Sequence, residues 1–189
     1  MKQNDTTIDI LNLMPFGVLG LVLVVRLVRE YVAVGIGGIN YVGNAFLAVG
    51  WILGYLLGEA DHLFYALVCN PQELSCMRVK EELTNQRWHS AWVMLKSTSS
   101  ERTRLPIHNI LTTAVVALMG IWMVTSSGNL LASGLVVGLS VRLVWELWQA
   151  SDWSKWYWIF AREFSVSEHK IIRGVLTALV VFQCLGLLR

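Results

Sequence analysis

LLASGLVVGLSVRLV, running from Leu130 to Val144, holds a single charge, Arg142. With its flanks it approaches the roughly 20 apolar residues that a helix needs to cross a hydrocarbon core about 30 Å thick. Four more runs read the same way: Ile10 to Val25, Ala45 to Leu57, Ile110 to Val124 and Ile171 to Leu188. Inside lipid each backbone N–H and C=O must be satisfied within its own segment, so helices are the expected form. The predicted fold class is all-α, a polytopic transmembrane helical bundle of about five spans with a cytoplasmic amphipathic helical loop.

Composition points to a bilayer as the solvent. Of 189 residues, 55% are hydrophobic and only 15% charged, and the mean hydropathy is +0.55. A soluble chain of this size cannot bury every face of so many apolar helices. The net charge of +2 is small and the basic residues are scattered, which excludes nucleic acid as an expected partner. Cys69, Cys76 and Cys184 lack metal-ligand spacing; Cys69 and Cys76 could close a short loop, but in a loop expected to face the reducing cytosol they read as two free thiols. Asp5 and Asp9 occupy the place where a cleavable signal needs a basic region, so the first run is expected to remain as a helix.

The whole chain, 1–189, reads as one integral membrane domain, with spans near 8–28, 39–57, 107–125, 130–148 and 171–188. Arg26, Arg29 and Glu30 end the first apolar stretch, and Gly35, Gly37 and Gly38 make a break before the second helix. Gly50, Gly54 and Gly58 recur at four-residue spacing. That stripe either admits a close neighbouring helix or reflects the general glycine richness of membrane helices. Between the second and third spans lies a polar loop, about 69–106, expected to form an amphipathic helix or helix pair. It is the surface through which a protein partner would dock. Trp153, Trp156, Tyr157 and Trp158 read as an aromatic belt at headgroup level.

Orientation follows from the basic residues. Lys2, Arg78, Lys80, Arg87, Lys96, Arg102, Arg104, Lys155, Arg162, Lys170 and Arg173 fall on the side of the N-terminus. Arg26, Arg29 and Arg189 fall on the other. Basic loops stay in the cytoplasm, which predicts a multi-pass protein of the cell inner (plasma) membrane with its N-terminus cytoplasmic.

This topology gathers polar residues at one depth. Glu59, Asp61 and His62 end the second helix, His108 opens the third, Glu146 lies near the end of the fourth and His169 precedes the fifth. Carboxylates with neutral imidazoles suit a divalent metal such as zinc or manganese when several helices converge. The alternative is that polar residues collect at helix ends because water begins there. Arg142 and Glu146 are one turn apart within an apolar run. They form either a self-neutralising i,i+4 pair or a functional set, with Glu146 as ligand or base and Arg142 as an anion clamp. Asn40 and Asn44 are expected to bond a neighbouring helix, and His89 to be solvated.

Gly-Glu-Ala-Asp61-His62-Leu, Leu-Pro-Ile-His108-Asn and Arg142-Leu-Val-Trp-Glu146 together resemble the motifs of the YdjM-like membrane-bound metal-dependent hydrolases. That family has an Asp-His pair ending an early helix, a His opening a later one and a His-x-x-x-Asp pair on the next. This chain has Arg142 and Glu146 in place of the last pair. The chain also resembles, in layout, uncharacterised membrane proteins of candidate-phylum bacteria in which the His-x-x-x-Asp pair is intact. The resemblance implies a divalent metal held by Asp61, His62 and His108, with Glu146 and Arg142 as catalytic groups, acting on a phosphate or ester at the headgroup level. Two other functions stay open: a non-enzymatic membrane scaffold or partner-binding protein, and a small transporter.

Overall fold

The computed structural model describes residues 13–68, 74–97 and 106–188, and every described element is helical. Helix α1 spans Met14–Val34, with Pro15 in its first turn, where a missing N–H breaks no helical bond. It does not stop at the charges Arg26, Arg29 and Glu30 but continues to Val34. Gly35 ends it, at a φ of 75° that favours glycine, and donates its N–H to the Tyr31 carbonyl. A 3-10 turn, Ile36–Gly38, leads into α2, Tyr41–Val68. The polar loop forms a helix pair, α3 (Leu74–Thr84) and α4 (Trp88–Ser97), closed by the buried Val79 and Ala91. His89 is exposed there.

Helix α5 spans Ile110–Ser126 and α6 Leu130–Gln149. Asn109 and Asn129 cap them, their side chains accepting from Thr112 and Ala132 N–H. The Asn109 cap explains why α5 starts later than the expected 107. Helix α7, Val166–Leu187, starts five residues earlier than hydropathy suggests. A capping box sets its start: Ser165 Oγ accepts from Glu168 N–H, and Glu168 accepts from Ser165 N–H. His169 therefore lies within this helix and not before it.

Among the described residues, three helices are long and apolar enough to cross a membrane: Tyr41–Gly58 of α2, α6 and α7. Helix α5 is apolar but has 17 residues, and α1 carries three charges in its second half. Residues 8–12 of the expected first span, with Cys69 and the segment 98–105, lie outside the described residues.

Helix α6 is the centre of the bundle, with two thirds of its length buried and α1, α2, α5 and α7 packed around it. Its contact with α2 is backbone to backbone. A Cβ added at Gly54 would come within 2.0 Å of the Leu135 carbonyl oxygen, and one at Gly138 within 2.5 Å of that of Trp51. The glycine stripe is therefore a docking surface between α2 and α6. Leu47, Trp51, Val137, Leu143 and Leu147 fill the space beside it, all fully buried.

The aromatic segment departs from a surface belt. Residues Trp153–Tyr157 form a 3-10 helix that turns Trp156 and Tyr157 into the bundle, while Trp158 stays exposed. Tyr157 stacks on Phe164 with ring centres 4.3 Å apart, and Trp153 stacks on His169 at 4.7 Å. These aromatic contacts keep the rings inside, where sequence periodicity had no helix face to indicate it.

Candidate functional site

Near the C-terminal end of α6, Arg142 and Glu146 lie one turn apart, with Arg142 Nε donating to Glu146 Oε1 at 2.7 Å. His108, in the turn before α5, donates from Nε2 to Glu146 Oε2 at 2.5 Å. Both carboxylate oxygens are thus engaged, one by each neighbour. Arg142 also reaches across to α2, where an Nη1 hydrogen donates to the Tyr55 carbonyl and the guanidinium lies 4.5 Å from the Tyr55 ring centre. Gly58 makes room for it, since a Cβ there would sit 2.7 Å from Arg142 Nε. Trp156 covers His108 edge-on, with ring centres 5.7 Å apart.

Burial follows this geometry. The Arg142 side chain is 5% exposed and that of His108 12%, while Glu146 retains 29%. A guanidinium at that depth needs a carboxylate and further acceptors, and it has Glu146 and the Tyr55 carbonyl. The cluster ties α2, α6 and the entry to α5 together at one level.

Of the residues expected to form a site, His108, Arg142 and Glu146 meet. Asp61 and His62 belong to α2, about one turn beyond Gly58, but their side chains, with that of Glu59, lie outside the described residues. His169 does not join the cluster. It is buried against Trp153, with Nδ1 3.1 Å from Tyr157 Oη. Burial, with the Glu168 carboxylate nearby, pushes the Tyr157 hydroxyl above its ordinary range, so it keeps its proton and can donate to that nitrogen.

Sequence reasoning missed Tyr55 and Trp156. The signal for Tyr55 was the stripe ending at Gly58, which marks where α6 can lay a long side chain on α2. It also missed a second polar cluster, at the other end of the bundle. There Arg26 donates to Asn44 Oδ1 at 2.8 Å and to the Leu187 carbonyl at 2.5 Å. Glu30 accepts from Asn40 N–H and Asn44 Nδ2. Asn44 does bond a neighbouring helix, as its position suggested, and that helix is α1.

Among the described residues the cluster holds only part of the expected donor set, because the side chains of Asp61 and His62 lie outside them. One imidazole and one carboxylate come together, and they are already bonded to each other. A permanently charged guanidinium sits 2.7 Å from the same carboxylate. No group of three or more His, Cys, Asp and Glu side chains among the described residues is arranged to hold a metal. No protein-family model matches the chain, and no curated protein or solved structure matches it either.

Proposed function

We propose that this chain is a five-span protein of the cell inner membrane, N-terminus cytoplasmic, built on the layout of the YdjM-like hydrolases around a degenerate site. In this reading it is a non-enzymatic scaffold. The carrying observation is Arg142, which neutralises Glu146 and bonds the Tyr55 carbonyl, so that the residues at the family's third motif fasten helices together. The helix pair α3–α4 is the docking surface for a partner, supported by the exposed Met77, Trp88 and Val93.

A second reading, a metal-dependent hydrolase with Asp61, His62 and His108 as ligands, draws support from one observation. His108 and Glu146, 38 residues apart in sequence, meet at 2.5 Å.

Elemental analysis of purified protein separates the two. The scaffold reading expects no stoichiometric zinc or manganese in the native chain, and a gain of metal in Arg142→His, which restores a His-x-x-x-carboxylate pair. Stoichiometric metal in the native protein, lost in His62→Ala and His108→Ala, would overturn it. Reporter fusions at Lys155 and Asn129 test the orientation: the first should read cytoplasmic and the second external.

A further inference from the structure

Helices α1, α6 and α7 enclose a groove of about 460 Å³, within the volume range of small-molecule sites. Its walls are apolar side chains, among them Val18 and Val22 of α1, Val144 of α6 and Val181 of α7. Along α7 the lining runs from Thr177 to Leu188, a rise of about 16 Å. The same helical stripe continues backward at three- and four-residue steps, from Thr177 to Arg173 and then to the exposed Lys170.

Arg173 stands beside the Trp148–Thr177 end of the groove. Its guanidinium lies 3.7 Å from the ring centre of Trp148, a groove residue. Trp148 is held in turn by its Nε1–H donating to Thr177 Oγ1 at 3.0 Å. Arg173 Nε is buried and, among the described residues, has no hydrogen-bond partner. None of the ion pairs among the described residues involves Arg173. A cation fixed by stacking, with donors unspent, therefore stands beside one end of an apolar slot that opens between membrane-length helices.

We infer that this groove holds an anionic phospholipid of the bilayer, one acyl chain lying between α1, α6 and α7 and its phosphate on Arg173. Charge and shape agree on that occupant: the slot offers nothing polar to a soluble ligand, and a guanidinium stands beside one end. Lys170, one turn further out, adds a second positive charge at headgroup level. The inference rests on the membrane reading above, and the test separates the two.

The full chain is reconstituted into phosphatidylcholine vesicles containing a phosphatidylglycerol that bears a photoreactive acyl chain, or the matching phosphatidylcholine probe. Adducts are then mapped by peptide. Phosphatidylglycerol adducts should concentrate on Val18 to Val25 and Val181 to Leu188. Arg173→Gln should lower them about fivefold, Arg173→Lys should retain most of them, and phosphatidylcholine adducts should not change. Leu21→Trp, which fills the slot, should abolish groove adducts of both probes. Equal labelling by the two probes, adducts spread evenly over all exposed apolar faces, or labelling indifferent to Arg173→Gln would overturn the inference. So would competition by inorganic phosphate, or cross-linking of the groove to a second copy instead of lipid. Failure of the protein to float with the vesicles would overturn the membrane reading itself.

Discussion

Two Arg-x-x-x-Glu pairs stand at opposite ends of this bundle, Arg26–Glu30 on α1 and Arg142–Glu146 on α6, and they are used differently. In the first the partners are 3.4 Å apart, and each turns mainly to something else. Arg26 takes the carbonyl of Leu187, one of the groups that a helix C-terminus leaves without a partner. Glu30 takes the N–H of Asn40, just before α2. That cluster is a double cap, placed where two helix ends meet. In the second pair the partners are 2.7 Å apart, and the arginine is spent on a carbonyl within the run of α2. Identical spacing gives the same local contact on a helix. What differs is the surrounding helices: open ends around the first pair, and a glycine-lined helix face around the second.

The comparison predicts a graded response to substitution. Arg142→Leu should have the largest effect, a loss of about 3 kcal/mol of stability. That is the low end for breaking a buried pair, because Glu146 keeps some exposure. Unfolding in detergent measures it. A loss as small as that of the Arg26 cluster would make the two pairs equivalent.

Gly54→Ala sharpens the contrast from the side of α2. The added carbon meets the Leu135 carbonyl, so α2 must move away from α6 and carry the Tyr55 carbonyl with it. A loss of about 2 kcal/mol is expected, as for overpacking elsewhere. Cysteine cross-linking between α2 and α6 should report the displacement. No change in either readout would show that the two helices are not in backbone contact.

Glu30→Gln should be the mildest, about 1 kcal/mol, because the amide oxygen can still accept from Asn40 N–H and Asn44 Nδ2, and only the charge and the long contact with Arg26 are lost. Amide exchange should locate the loosening at the start of α2 and leave the Arg142 region unchanged. Exchange that rises equally at both ends would argue that the clusters are coupled.

The sequence made some of this legible and concealed the rest for identifiable reasons. Apolar runs announced the helices, because membrane-length hydrophobicity is a property of each segment alone. The 142/146 pair was also visible, being a contact within one helix. That His108 closes on Glu146 was suggested only as a common depth, since which helices become neighbours depends on packing that no single segment encodes. The glycine stripe on α2 carried that information, but only the matching Gly134 and Gly138 on α6 turn it into a docking surface. The start of α7 was misplaced because a polar capping box, Ser165 with Glu168, sets it and hydropathy does not register caps. The Trp153–Tyr157 segment turned inward through ring-to-ring contacts that have no periodic signature.

A double-mutant cycle on Arg142 and Glu146 tests the structural role of the pair most directly. Arg142→Leu, Glu146→Leu and the double replacement would be compared by unfolding in one detergent. If the pair is a neutralised lock, the double variant should be more stable than Arg142→Leu alone, with a coupling energy of about 2 kcal/mol or more. Losses that simply add, to within about 0.5 kcal/mol, would mean that the two residues do not act on each other and that the carboxylate serves something else.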